Sequence, residues 1–330
     1  MLLVTNGDLA AERIEWAGLA GEVLPWRDVL HEGPVPAGLL DAELGEARAR
    51  FLADRGWASV QETAESFAGR DAALEDFGRH EEVVLLFEHD LYDQLQLVQV
   101  LDRFRGWDLG DTRLSLAVAD EYLSNLGPAR LRALFLGRHG ATGEELELAG
   151  RAWEAFRSPD PTWLSMLLEE DTSALPFLGP ALLRHLEQFP STENGLSRSE
   201  RRALEAVLDG KDVLREAYVA SHQGREEPIF LSDTVFASYV EDLSAVEEPL
   251  VVFEGGGTIR APRVGEDDRR FWEEKVALTE KGREVLGGGE DRVELNGIDR
   301  WLGGAHLVAH PGGEGVWRWD GSDQELKRPA

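Results

Sequence analysis

At 330 residues and 42% hydrophobic, the chain can hold two or three domains around a sizeable core, and its composition is not that of a disordered protein. With no cysteine, disulfides, thiolate zinc sites and cysteine nucleophiles are excluded. Acidic residues outnumber basic ones by 63 to 34, and the resulting charge of −29 repels duplex DNA and phosphate-rich surfaces at long range.

Residues 1–140 read as an α/β domain built on an open parallel sheet. Short apolar runs, Leu2–Thr5, Glu22–Pro25, Glu82–Phe87 and Arg113–Val118, alternate with helical stretches, the pattern of β-α-β units. Helices are predicted over Asp8–Ala17, Leu39–Arg55, Val60–His80, Leu91–Phe104 and Pro128–Gly137, the last with proline in its first turn. The crossover between the second and third strands is longer than a β-α-β unit needs. Its helix pair, with Leu44, Ala47, Phe51 and Leu52 on one apolar face, reads as a lid over the strand ends.

Residues 141–194 read as a helical connector, broken by Pro159-Asp160-Pro161 and Pro176. Residues 195–330 read as a winged-helix-like domain. Ser197 to Glu200 form a capping box at a helix start, helices follow near Asp212–Ser221 and Asp233–Leu243, and a hairpin comes from Pro249–Phe253 and Lys275–Leu278. The candidate recognition helix carries Asp233, Glu241 and Asp242 and neither lysine nor arginine, the reverse of what base and phosphate contacts require. Duplex DNA is therefore not an expected partner.

The chemistry-bearing residues gather where strands end. Asn6-Gly7-Asp8 follows the first strand, Arg27-Asp28 and His31-Glu32 the second, Glu88-His89-Asp90 with Asp93-Gln94 the third, and Glu121 the fourth. Ligands of open parallel sheets bind outside these carboxyl ends, which points to one shared small-molecule site. His31 and His89 are candidate general bases, with Glu88 and Asp90 as catalytic carboxylates. Asn6, Gly7, Asp8, Arg27, Asp28, Glu32, Asp93, Gln94 and Glu121 are candidate ligand-binding residues. Arg27, partnered by Asp28 or Glu88, is the expected organising cation. A helix start also explains Asn6, Asp8 and Asp90 as caps. The ligand types suit a divalent metal, but no fixed metal-binding spacing supports one. There is neither a G-x-S-x-G elbow nor a phosphate-binding Walker loop.

Four motifs taken together carry a family resemblance: Asn6-Gly7-Asp8, Trp26-Arg27-Asp28 through Pro34, Phe87-Glu88-His89-Asp90-Leu91-Tyr92-Asp93-Gln94, and Gly297-Ile298-Asp299-Arg300-Trp301-Leu302-Gly303-Gly304. The chain resembles the bacterial proteins grouped under domain of unknown function 1835, best over its first ~130 residues. The resemblance implies no activity. Two readings stay open: a hydrolase acting on a nucleotide or other phosphorylated metabolite, and a regulatory or adaptor protein that binds a protein partner, or a second copy, through its C-terminal domain. No stretch approaches the ~20 apolar residues of a membrane span, and the N-terminus runs straight into a strand without a leader pattern, so the expected location is the cytoplasm.

Overall fold

The computed structural model describes residues 1–313 and 315–328. Its N-terminal part is a five-stranded sheet of order β2-β1-β4-β5-β6, with β1 Leu2–Thr5, β2 Glu22–Pro25, β4 Glu82–Phe87, β5 Arg113–Val118 and β6 His139–Gly140. Neighbours β2 to β5 pair in parallel and β6 is a short antiparallel edge, so the expected open parallel sheet is present. Central strands β1 and β4 are apolar without alternation because both faces are covered. Leu2, Val4, Val83, Leu85 and Phe87 enter the large core, whereas Leu3, Val84 and Leu86 meet Ile14, Leu123 and Leu131 on the opposite face. Thr5 is opposite Pro25 and Leu86, so β1, β2 and β4 finish at one edge.

Around the sheet lie α1 (Asp8–Trp16), α2 (Asp41–Asp54), α3 (Val60–Glu75), α4 (Leu91–Arg105) and α5 (Pro128–Leu136). Helices α6 (Gly143–Arg157), α7 (Thr162–Leu168) and α8 (Leu178–Leu186) make up the helical middle, and both α6 and α8 pack on α4. The α2–α3 pair is a clamp rather than a lid. Arg48 of α2 is fully buried against the loop after β2, and Arg70 of α3 lies 4.0 Å from the Trp26 ring centroid. Guanidiniums locked in dry contacts hold this pair beside the strand ends.

The C-terminal part has α9 (Arg198–Leu208, opened by the predicted capping box), α10 (Leu214–Tyr218) and α11 (Asp233–Ser244). An antiparallel pair follows, β7 (Val251–Phe253) with β8 (Val276–Leu278), and Val213 bridges to Lys275. Helix α11 is mostly buried and tied to the end of α2, through Arg55–Asp242 at 2.8 Å and Trp57 Nε1 donating to Ser238 Oγ at 2.7 Å.

One pairing joins the two ends of the chain. β3 (Gly33–Pro34) runs parallel to β9 (Ile298–Gly303), which forms a hairpin with β10 (Ala305–Ala309). This explains the glycines of both motifs. A Cβ on Gly304 would come within 1.9 Å of the Arg157 carbonyl oxygen, and Gly33, at φ +79°, has the Phe51 ring where its Cβ would be. The large core runs continuously from Leu2 to Trp319, across residues 140 and 195. Among the described residues no helix is long and apolar enough to cross a membrane.

Candidate functional site: three carboxylates without a cation

Where β4 ends and α4 begins, Glu88, Asp90 and Asp93 are 5%, 3% and 0% exposed, and one oxygen from each lies within 4.8 Å of the others. Local backbone chemistry puts them there. Asp90 caps α4, its Oδ1 accepting from Asp93 N at 3.1 Å. Asp93 Oδ1 accepts from Glu88 N at 2.6 Å, and Asp93 Oδ2 from Asn6 Nδ2 at 2.7 Å. Glu88 Oε1 accepts from Leu123 N at 2.7 Å, and Gln94 Nε2 donates to the Glu88 carbonyl at 2.6 Å. Tyr92 closes the cluster by donating its hydroxyl to the Asn6 carbonyl at 3.2 Å.

What the cluster lacks is a basic partner. Every other buried carboxylate among the described residues has one: Asp28 has Arg48, Glu32 has Arg300, Glu82 has Arg138, Glu145 has His139, Glu200 has Arg292 and Glu226 has Arg184. Burial therefore pushes Glu88 and Asp90 up to about 7, with the Glu88 charge adding to the effect on Asp90. Burial and both neighbouring charges lift Asp93 well above the carboxylate range. Charged together without a counter-ion, these three groups would be expensive. The Thr5 hydroxyl, fully buried and without a hydrogen-bond partner, ends β1 on the sheet face that also carries Glu88.

His89, next to Glu88 in the chain, is half-buried, its ring 5.3 Å from Tyr122 and 5.9 Å from Phe177, and its Nδ1 has no partner. Burial lowers its pKa, which leaves a neutral imidazole with a free lone pair near neutral pH.

The remaining expected residues fall into separate networks. Arg27 does not organise the carboxylates; this expectation is corrected. It pairs with Asp8 at 2.5 Å on the surface, the two side chains 48% and 63% exposed, because Gly7 caps α1 and Asp8 is turned outward. Arg27→Ala is accordingly expected to change stability by no more than about 1 kcal/mol in urea denaturation. Asp28 pairs instead with the buried Arg48 at 2.7 Å. Glu32 accepts from Arg300 at 3.0 Å and from the Tyr239 hydroxyl. Glu121 is an exposed partner of Arg130 at 2.7 Å and is not among the three clustered carboxylates. His31 is buried against Tyr92 and Phe230, and neither ring nitrogen bonds to Glu88 or Asp90.

Thr5, Tyr92, Arg48, Tyr239 and Arg300 are structural participants that strand-end patterning does not single out. Arg48 alone left a signal, being the one charged residue on the Leu44–Phe51–Leu52 stripe. No protein-family model matches the chain, and no curated protein matches it.

Proposed function

We propose that the protein binds a small molecule at the carboxyl ends of its parallel strands, through a divalent cation held by Glu88, Asp90 and Asp93. The observation that carries this reading is a trio of buried carboxylates without any basic side chain, in a fold that supplies one to every other buried acid among the described residues. Oxygen-only ligands suit a hard cation such as Mg²⁺, Mn²⁺ or Ca²⁺. An acidic cluster repels a bare phosphate, but a cation that keeps some coordination positions for substrate oxygens reverses that sign. In this reading the neutral His89, between Glu88 and Asp90 in the chain, takes a proton from an attacking water. Hydrolysis of a phosphorylated metabolite is the reaction class that uses all of these parts.

A second reading rests on a contact from the C-terminal part. The segment before α11 reaches the strand ends, where Ile229 donates its N–H to the Tyr122 hydroxyl at 2.5 Å and accepts that hydroxyl's proton at 3.1 Å. In this reading the strand-end site senses a ligand, and the winged-helix-like part responds by binding a protein partner.

One experiment separates them. Metal-stripped protein is followed by thermal shift with Mg²⁺, Mn²⁺ and Ca²⁺, then assayed for phosphate release across nucleotides and sugar phosphates. Cation stabilisation with cation-dependent turnover is the expected result. Cation and metabolite binding without turnover favours the regulatory reading. If none of the three cations stabilises the protein, the cation site is overturned.

A further inference from the structure

Apart from the strand ends, a cleft of about 790 Å³ is lined by the ends of α2 and α11, by β3 and by the β9–β10 hairpin. Two motifs singled out in the sequence come together on it: Glu32-Gly33 from the loop after β2, and Gly297-Ile298-Asp299-Arg300-Trp301. Close backbone approaches account for their glycines, and Arg300 serves Glu32 at 3.0 Å. Asp299 and Trp301 have no such task.

The charge of the lining decides what the cleft can hold. Its three guanidiniums are all taken: Arg55 by Asp242 at 2.8 Å, Arg300 by Glu32, and Arg292 by Glu200 at 3.5 Å. Two further lining carboxylates have neither a guanidinium nor an ammonium. Asp54 is exposed and forms no ion pair among the described residues, and Asp299, its side chain 79% exposed, meets the imidazole of His306 at 2.7 Å. The one further basic lining residue is the exposed His310. Helix α2 ends at Asp54 and α11 just before Ala245, and neither has a basic residue in its last turn. The negative ends of two helix dipoles therefore add to the unpaired acids. Exposed Glu247, Glu248 and Glu294 extend the same field outward.

These acids are spread along the cleft. Among the described residues, Glu88, Asp90 and Asp93 are the one trio that converges closely enough to hold a metal ion, and none of them lines it. Much of the remaining lining is apolar, with Phe51, Val246, Ile298 and the half-exposed Val308. Trp301 lines it too. His306 stacks on the Trp301 ring at 4.2 Å and 7°, so only the opposite ring face can meet a ligand, and an ammonium over an indole face is attracted to it. The volume is that of a small-molecule site. An anion would find no free cation there, and a bare metal ion would find no converging ligands. Methylenes carrying separated positive charges suit both the apolar wall and the spread acids.

We propose that the cleft binds a linear aliphatic polyamine, with ammonium groups at Asp54 and Asp299 and methylenes against the apolar wall. An ammonium is all donor, and carboxylates together with the open carbonyls of a helix C-terminus are the acceptors it needs when it leaves water. A lysine side chain of a peptide carries the same ammonium and stem. It would bring one charge per side chain, however, and the two unpaired acids stand on different elements, α2 and β9. A single free molecule charged along its length meets both.

The test titrates the full chain calorimetrically with spermidine, putrescine and a capped trilysine peptide. Salt at about 0.15 M screens loose attraction to a chain of charge −29. Indole N–H signals are followed by NMR, and Trp301→Phe identifies the signal of Trp301. The expected result is saturable binding of spermidine, weaker binding of putrescine, and a shift of the Trp301 signal. Asp54→Asn and Asp299→Asn, both at exposed positions that leave folding intact, should each weaken spermidine binding at least about threefold. Glu15→Gln, an exposed acid of α1 outside the cleft, should leave it unchanged. Absence of saturable binding, or an equal loss in all three variants, overturns the proposal. If the trilysine peptide binds more tightly than spermidine, whose charge it matches, the free polyamine is overturned and the cleft is assigned to a partner's basic segment. None of these results bears on the strand-end cation, because Glu88, Asp90 and Asp93 do not line the cleft.

Discussion

Replacing Arg48 by alanine is expected to destabilise the protein by about 3–5 kcal/mol, the largest effect of any single charged side chain considered. Its guanidinium is 1% exposed and bonds three partners at once. Nη2 and Nε bond Asp28 at 2.7 and 3.1 Å, Nη2 bonds the Val29 carbonyl at 2.7 Å, and Nη1 bonds the Glu32 carbonyl at 2.5 Å. Alanine would strand a buried carboxylate, the buried Glu32 carbonyl and the part-buried Val29 carbonyl. The loop that carries His31, Glu32 and the β3 pairing to β9 hangs on these bonds, so the loss should spread to the contact between the chain ends. Urea denaturation of Arg48→Ala, Asp28→Asn and the double variant checks this. The double variant should be less destabilised than the sum of the two singles by at least about 1 kcal/mol, because removing the charge relieves the orphaned carboxylate. Additive effects would show that the ion pair with Asp28 does not contribute to the role of Arg48.

The second large effect is one of sign. Asp90→Asn is expected to stabilise metal-stripped protein at pH 8 by about 1–3 kcal/mol, although it alters a helix cap. Asparagine caps as well as aspartate, so the bond to Asp93 N survives. What is removed is a buried charge. Asp90 and Glu88 are raised to about 7 in the folded chain, above their unfolded values. Groups raised in this way contribute stability at low pH and lose it as pH rises through the folded value. Cation-free protein should therefore weaken from about pH 4 towards pH 8, and the variant should show a flatter profile. If the trio holds the proposed cation, a bound divalent cation should reverse that loss in the natural sequence and do little for the variant. Thermal unfolding across this pH range, with chelator or with Mn²⁺, reads both. A variant less stable at pH 8, with an unchanged cation response, would reduce Asp90 to a cap.

Most of the sheet was legible because β1, β4 and most of β5 are buried on both faces and β2 is a short apolar run. Leu2–Thr5, Glu22–Pro25, Glu82–Phe87 and Arg113–Val118 are the observed strand bounds, each an apolar run ended by polar residues. The capping box at Ser197 and the proline at the start of α5 were equally local signals. Strands β3, β6, β9 and β10 were not legible. Gly33–Pro34 and His139–Gly140 have no strand pattern of their own, and they pair only because another part of the chain supplies the partner.

The candidate site divides along the same line. Glu88, Asp90 and Asp93 could be named from sequence because they bracket one strand–helix junction, where capping and the turn bring them together over six residues. Partner choice could not. Arg27 stands next to Asp28, yet neighbours along a strand end point to opposite sides, and so Arg27 meets Asp8 outside while Asp28 meets Arg48 inside. Local periodicity and capping chemistry are written into a few adjacent residues, and from them the sequence by itself determined the parallel sheet, the helix starts and the acidic strand end. Which buried charge is neutralised, and which is left without a cation, depends on side chains brought from Arg48, Arg184 and Arg300. That was decided only by the tertiary structure, because long-range pairing is set by burial of the whole core and not by spacing along the chain.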